Sequence, residues 1–409
     1  MQTNRIEEAL VALVAGSLII VVDNEDRENE GDLIGAAELA TVESIAFMVE
    51  WTSGVLCVAL PAERLQGLGL PLMVADNTDG MKTAFTVTAD YRHGTTTGIS
   101  ASDRAATIRA LADPQSTPGD FNRPGHIFPL RAVKGGVLQR PGHTEAAVDL
   151  MRLAGLQQGG VLAEIVNGDG SMARFPQLLE FAARHRLPII TIRDLIAYRR
   201  RQECIVQRKT SARLPTKHGV FTIHGYQEVF GDREHIALSM GDIDSSTSVL
   251  VRVHSECMTG EIFGSMRCDC GPQLDNALAR IAAEGQGVVV YLRGHEGRGI
   301  GLMHKLRAYA LQDIGRDTVD ANQELGLPID ARDYAIGAQI LRDFGISKIR
   351  LMTNNPSKYD GISDFGLEIT ERVPLIAPLH RENTGYLHAK QARMGHLLGL
   401  NAVTLPAQN

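Results

Sequence analysis

Between Arg5 and Ala15 the apolar residues Ile6, Leu10, Leu13 and Val14 repeat with helical spacing, and Gly16 suits a C-terminal cap. The pattern predicts a helix there. Ser17–Val22 follows as a short β-branched apolar run, which predicts a buried strand. The same strand signal recurs at Val55–Leu60, Ile189–Ile192, Val249–Val253, Val288–Leu292 and Ile349–Met352. Helical periodicity falls between these runs, at Thr144–Leu153, Pro176–His185, Leu274–Glu284 and Leu302–Ile314. Strands and helices interleaved on this spacing predict an α+β or α/β chain: two consecutive mixed-sheet domains with helices packed on the sheets.

A length of 409 residues agrees with two or three domains at roughly 150 residues each. The boundary is expected near residue 200. From Arg199 to Lys217 there are seven basic residues (Arg199, Arg200, Arg201, Arg208, Lys209, Arg213 and Lys217) and one acid, Glu203. This predicts a solvated basic linker around 199–217 between domains 1–200 and 201–409. A polyanion-binding patch is the other reading, but no aromatic residues interleave the charges. The tail Thr404–Asn409 is expected to be disordered.

Composition narrows the function classes. With 44% apolar and 22% charged residues the chain is that of a folded protein. A formal charge of −7 argues against nucleic acid or an anionic membrane as partner. The longest apolar run, Ala9–Val22, is interrupted by Gly16 and Ser17 and is too short to span a bilayer. Glu7 and Glu8 stand where a secretory signal would carry positive charge. Five cysteines are too few and too clustered for a disulfide scaffold, so a cytoplasmic protein is expected.

Directly after the Ser17–Val22 strand comes DNEDRENEGDL, in which Asp23, Glu25, Asp26, Glu28, Glu30 and Asp32 crowd around a single Arg27. Such density of negative charge needs solvent, protons or a bound cation, and strand exits are common binding positions in α/β folds. RHGTTTGIS (Arg92–Ser100) is a glycine-flanked hydroxyl loop of the kind that could cradle a phosphate. The tetrad Arg-Pro-Gly-His occurs at Arg123–His126 and again at Arg140–His143. In the second copy His143 and Thr144 open a helix, whose free N–H groups favour an anion.

These stretches, with TSGVLCV, GLPLMVADNTD, HGTTTGISASDRA, RPGHIFPL, RPGHTEAAVDLMRLAG and the Glu164 of VLAEIVNGDGSMAR, resemble 3,4-dihydroxy-2-butanone 4-phosphate synthase from residue 1 to about 200. The resemblance implies a lyase that converts D-ribulose 5-phosphate to 3,4-dihydroxy-2-butanone 4-phosphate and formate. It implies Mg²⁺ or Mn²⁺ held by Glu28 and His143. Substrate contacts are implied for Arg27, Glu28, Asp32, Arg140, Pro141, Gly142, His143, Thr144 and Glu164, and catalytic positions for His126 and Glu164. Enolisation, migration and carbon–carbon cleavage make sense of these residue types, since carboxylates and imidazole move protons near neutral pH. For Cys57, a packing thiol and a site-lining role are both open.

The second constellation is Cys257, Cys268 and Cys270, in HSECMTGEIFGSMRCDCGPQL. A Cys268–Cys270 bridge would be strained and out of place in a reducing compartment, so zinc is favoured. A structural site closes with four protein ligands, whereas a catalytic site keeps one position for water. Cys204 is remote and His254 could equally face substrate; three thiolates plus water is the favoured set. Nearby lie Arg252–Glu256 at a strand end, the glycine-rich turn RGHEGRGIGL (Arg293–Leu302), DARD (Asp330–Asp333) and TNNPSK (Thr353–Lys358).

Residues 205–401 resemble GTP cyclohydrolase II. The resemblance implies zinc on the three cysteines and hydrolysis of GTP to 2,5-diamino-6-(5-phosphoribosylamino)pyrimidin-4-one, formate and pyrophosphate. GTP contacts are implied for Arg252, Val253, His254, Ser255, Glu256, Gln273, Glu296, Gly297, Arg298, Thr318, Thr353 and Lys358. Asp330 takes a proton-acceptor position, Tyr309 a supporting catalytic position and Arg332 a nucleophile position. A guanidinium with a pKa above ~12 is a poor nucleophile, and charge stabilisation at phosphorus is its simpler role. Asn24, Met266 and the Gly294–His295 pair depart from the family patterns without removing a named ligand. The whole then resembles a riboflavin-pathway fusion with both halves active and, by resemblance, a homodimer. The competing reading makes one half a regulatory or structural zinc module.

Overall fold

The computed structural model describes residues 3–244, 247–316, 318–327, 334–363 and 365–400. Asp330, Arg332 and the tail 404–409 lie outside the described residues, as does the side chain of Thr318. The chain divides into two compact units, Met1–Gln202 and Glu203–Asn409.

The first unit is built on strands β1 (Ile19–Val22), β2 (Gly31–Ala36), β3 (Cys57–Leu60), β4 (Ala89–Tyr91), β5 (Phe121–Arg131), β6 (Gly160–Glu164) and β7 (Ile189–Thr191). They form one mixed sheet in the order β4-β5-β3-β6-β2-β1-β7. Every residue of β1 is buried, and alternation explains how. Ile20 and Val22 face a core with Leu33, Ile45, Met48, Val58 and Ile108, while Ile19 and Val21 face one with Leu13, Ile34, Leu150 and Ile190. Helices cover both faces, so a continuous apolar run reads as strand. The first helix, Ile6–Val14, buries Ile6, Ala9 and Leu13. Val14, counted in the predicted stripe, is exposed instead, because one further residue turns it about 100° from Leu13.

In the second unit, β8 (Val206–Thr216), β9 (Gly219–Glu228), β10 (Glu234–Met240), β11 (Val249–Ser255), β12 (Gly287–Leu292), β13 (Lys348–Met352) and β14 (Glu368–Val373) form a sheet in the order β14-β13-β11-β12-β10-β9-β8. Strands β11, β12, β13 and β14 pair in parallel, and β8, β9 and β10 extend the sheet as an antiparallel meander. Phe221, Leu250, Ala277, Ile281, Val289 and Met352 fill a core under the helix Cys270–Glu284.

The predicted basic linker is not one. The helix Ile192–Gln202 runs through Arg199–Arg201, and β8 begins four residues after that helix ends. Arg199 is buried, ion-paired with Asp149 at 2.7 Å and bonded to the Gly135 carbonyl. Arg208 pairs with Asp343 at 2.6 Å and lies over the Phe344 ring. The positive charge belongs to a helix end and to an edge strand, where charge discourages pairing with foreign strands.

Candidate active sites

In the first unit, register sets the site. Asp32 on β2 faces Glu164 on β6, and Cys57 on β3 faces Leu162 on β6. Side chains two apart share a face, so Asp32 and Glu164 lie on the face of Ile34 and Leu162, where the core gives way to carboxylates at the strand ends. The helix His143–Leu153 begins over this face. Its N-cap is Gly142, where an added Cβ would sit 2.5 Å from Nη1 of Arg140 and 3.1 Å from Nη2 of Arg27. The Arg140–Pro141–Gly142 turn is thus threaded between two guanidinium groups, and Arg140 is anchored on Glu145 at 2.6 Å.

The acidic turn is organised by Asp23. Its carboxylate accepts the backbone N–H groups of Glu28 and Glu30 and an N–H of Arg27. That frees Glu28 to point at His143, with a carboxylate oxygen 3.7 Å from Nδ1; an Asp32 oxygen lies 3.8 Å from the same nitrogen. His143 Nε2 is 3.2 Å from the Val21 carbonyl, which can only accept, so Nε2 carries the proton and Nδ1 is the atom offered to the carboxylates. Arg27 also bonds Glu28, and Glu164 accepts the Ser53 hydroxyl at 2.7 Å.

Charge here is unevenly distributed. Burial pushes Asp32 up to about 7 against the pull of His143. The nearby His143 imidazole and the charge of Arg27 outweigh burial and hold Glu28 below the usual carboxylate range. Burial opposes a charge on His143, but Asp32, Glu28 and Asp23 outweigh it and raise the imidazole to about 9. Asp32 Oδ1 is buried with no hydrogen-bond partner among the described residues. An orphan carboxylate oxygen beside Glu28 and the imidazole Nδ1 fits a divalent cation, because these are hard oxygen donors with one nitrogen.

Arg27, Glu28, Asp32, Arg140, His143, Thr144 and Glu164 line one pocket, with Cys57 and Thr83. His126 is not in its lining. It lies on β5, with Nδ1 2.7 Å from Asp90 and its backbone N–H bonded to the same carboxylate. In the loop Arg92–Ser100, Thr95 and Thr96 spend their hydroxyls on the Tyr91 carbonyl and on Asp103, and Ser100 caps the helix Ala101–Ala112.

The second site forms where parallel strands end, the usual opening of such sheets. His254 and Ser255 end β11, and Glu256 and Cys257 follow it; the turn to Arg298 leaves β12; Thr353 to Lys358 leaves β13. The sulfurs of Cys257, Cys268 and Cys270 lie within 4.8 Å of one another. Cys257 and Cys268 are 3.7 Å apart, close to the ~3.8 Å separation of tetrahedral ligands on zinc at Zn–S ~2.3 Å. A Cβ at Gly260 would come within 2.7 Å of the Cys268 sulfur, so only glycine leaves the cluster room. Cys257 is held well below the ordinary thiol range by donation from Cys268 and Cys270 and by Lys305. Donating to Cys257 pushes Cys268 up to about 11. A thiolate already formed among two thiols is a soft donor set fit for zinc. Among the described residues no fourth protein ligand joins the three.

Of the implied GTP contacts, Arg252, His254, Ser255, Glu256, Gln273, Gly297, Arg298, Thr353 and Lys358 line one pocket with the thiols, whereas Val253 and Glu296 are not in its lining. Arg252 donates to Gln273 at 2.6 Å and to the Met352 carbonyl. Lys358 donates to the Val253 carbonyl. Glu296 takes Lys305 at 2.5 Å and the Met258 N–H at 2.7 Å. His254 is buried 2.7 Å from Glu261; burial and Arg252 keep it neutral. Tyr309 bonds Thr259 at 3.2 Å beside Lys305. Lys305, whose Nζ is 3.1 Å from the Cys257 sulfur, was not singled out in the sequence, nor were Asp269, Glu261 and Tyr386. A lysine in an ordinary amphipathic helix gives no signal of this kind; only Asp269, between two cysteines, carried a positional hint.

Comparison with known proteins agrees with both halves. Residues 7–198 match the 3,4-dihydroxy-2-butanone 4-phosphate synthase family and residues 207–374 match GTP cyclohydrolase II. A riboflavin biosynthesis protein RibBA of Salinispora arenicola is 59% identical over 398 residues, covering 97% of this chain and 95% of that one. The chloroplastic bifunctional riboflavin biosynthesis protein RIBA 1 of Arabidopsis thaliana is 57% identical over 97% of this chain and 73% of its own length. The crystal structure of RibBX, a two-domain 3,4-dihydroxy-2-butanone 4-phosphate synthase from A. baumannii, is 36% identical and superposes with a TM-score of 0.67, covering 92% of this chain and 100% of that one. The chain therefore belongs to the RibBA family of bifunctional riboflavin biosynthesis enzymes, a lyase and a hydrolase in series: a 3,4-dihydroxy-2-butanone 4-phosphate synthase domain followed by a GTP cyclohydrolase II domain.

Proposed function

We propose that each domain works at the pocket described for it, and that the two reactions run on separate metal ions. The observation that carries this is the pair of donor clusters, one of carboxylates and imidazole and one of thiols, each lodged in its own domain's pocket.

In the synthase half Glu28 and His143 would hold Mg²⁺ or Mn²⁺, and such an ion polarises vicinal oxygens of a bound sugar phosphate. Arg27, Arg140, Thr144 and the open N–H groups after Gly142 bind and orient the phosphorylated pentulose. Asp32, with a pKa of about 7, takes and returns protons near neutrality, and Glu164 shares the task from the adjoining strand. His126 belongs to the same reaction by family resemblance, as does assembly into a homodimer.

In the cyclohydrolase half Cys257, Cys268 and Cys270 would hold zinc, which with an open position lowers the pKa of the water it binds. Arg252, Arg298 and Lys358 offset the triphosphate, Gln273 and Glu296 orient the nucleotide, and Tyr309 stands beside the thiols. Asp330 as proton acceptor and Arg332 as stabiliser of charge at phosphorus complete the set, with Thr318 as a further contact. Free thiols in this number suit a reducing compartment such as the cytoplasm. Among the described residues no helix is long and apolar enough to cross a membrane.

The test is formate release by the purified full chain, supplied separately with ribulose 5-phosphate and with GTP. Both substrates should yield formate, and GTP should yield pyrophosphate as well. A zinc coordination sphere of four protein ligands with no labile oxygen, measured by X-ray absorption, would instead favour a purely structural zinc module.

A further inference from the structure

The match to GTP cyclohydrolase II ends at residue 374, yet the wall of the thiol-lined pocket continues beyond it. The last helix, Arg381–Met394, carries Tyr386 and Lys390 one turn apart, and both line the pocket.

Lys390 is only 8% exposed, and its Nζ lies 2.7 Å from Oδ1 of Asp269. Asp269 is itself buried, between two of the cysteines. Its other oxygen accepts from Nε2 of Gln273 at 2.6 Å, and Oε1 of Gln273 accepts from Arg252 at 2.6 Å. One run of charge-assisted hydrogen bonds therefore leads from the last helix to two implied nucleotide contacts.

The Tyr386 ring centre lies 4.4 Å from Nζ of Lys390 and 5.9 Å from Cζ of Arg298. Arg298 sits at a left-handed φ of 66°, and its two terminal nitrogens are buried without a hydrogen-bond partner among the described residues. A buried guanidinium fork with no acceptor is built for an anion that arrives later. The helix and the residues after it have other ties as well. Arg393 pairs with Asp320 at 2.6 Å, and the Leu397 N–H bonds the Asn354 carbonyl at 2.8 Å.

We propose that Tyr386 and Lys390 are positioning residues of the GTP reaction: Tyr386 holds the Arg298 guanidinium for the nucleotide phosphates, and Lys390 sets Gln273 and Arg252 through Asp269. This rests on the reading of the pocket as the GTP site. A cation buried in a pocket wall is otherwise a costly choice where an apolar side chain of similar volume would pack.

The experiment uses the full chain and the variants Tyr386→Leu, Tyr386→Phe, Lys390→Met and Lys390→Arg, with zinc content and kinetics on both substrates. The leucine and methionine variants should raise KM for GTP by about tenfold or more, with kcat within about threefold, while Phe and Arg recover most of the loss. Zinc per chain and turnover of ribulose 5-phosphate should not change. An unchanged KM in both truncating variants overturns the proposal, as does loss of zinc or of both activities, which would mark the helix as a structural prop. A wild-type chain that turns over ribulose 5-phosphate but never GTP sinks the pocket reading and this inference together.

Discussion

The two pockets gather their donors in opposite ways. The thiols come from a single stretch, residues 257–270, with one helical turn and one glycine folding them onto each other. The oxygen-rich pocket draws Glu28 from a turn, Asp32 and Glu164 from neighbouring strands, and His143 from a helix start more than a hundred residues away. A soft site can be nearly local, because thiolates bind strongly enough to fix a short loop. A hard site for a weakly held ion needs the whole sheet to pre-arrange its donors. Damage should therefore be confined in each case to one reaction.

Loss of one thiolate should produce the largest effect. Cys268→Ser should drop GTP turnover by about a thousandfold or more and lower bound zinc, while formate release from ribulose 5-phosphate stays at the wild-type rate. Parallel loss of both activities would mean that the two halves do not work separately. The mirror experiment is His143→Ala. It should reduce the synthase reaction by about a hundredfold or more with zinc content and GTP turnover unchanged.

The pH response separates the sites further. A cation at Glu28 and His143 must displace the imidazole proton, whose pKa is raised to about 9. The ion-pair stability of the metal-free His143 is fully present below about 6.5 and is lost as pH rises through about 9. Asp32 works in the same direction: its pKa is raised from 3.8 to about 7, so the metal-free fold loses stability as pH climbs through that range as well. Both changes favour the cation at higher pH. Its affinity should rise by about tenfold between pH 7.5 and 8.5, roughly one proton released per ion. Zinc must displace protons from Cys268 and Cys270, so its affinity should climb more steeply, by up to about a hundredfold per pH unit. Calorimetry in buffers of different ionisation enthalpy counts the protons; equal counts at the two sites would contradict the assignment.

Legibility in the sequence follows the same division. The cysteine spacing was readable because the cluster is local. Glu28 with His143 was readable only through the family motifs, since no local rule pairs residues so far apart. Buried strands such as β1 and β12 announced themselves as continuous apolar runs. The meander strands β8, β9 and β10 did not, because their exposed faces mix charged and hydroxyl residues, and β8 read as a linker on its basic charge. The pocket-wall residues Lys305, Tyr386 and Lys390 look like ordinary helix positions until tertiary packing turns them inward. Asp23 was visible as one acid among six, but its work of capping the turn through two backbone N–H groups appears only in three dimensions.

The gentlest comparison uses two glycines. A Cβ at Gly260 would press to 2.7 Å from one cysteine sulfur and 3.3 Å from another, atoms that cannot yield without opening the cluster. A Cβ at Gly142 would press on the tips of Arg140 and Arg27, part-exposed long side chains with room to move, and less closely on buried Glu145 than on Arg140. Gly260→Ala should therefore weaken zinc binding by about ten- to a hundredfold, the size of effect seen when ligand support is disturbed. Gly142→Ala should raise KM for ribulose 5-phosphate only by about two- to fivefold, leaving zinc and GTP turnover untouched. Chelator competition and steady-state kinetics on the two variants measure these directly. If Gly142→Ala proved the more harmful of the two, the oxygen-rich pocket would be the rigid site and the thiol cluster the adaptable one, reversing the contrast drawn between them.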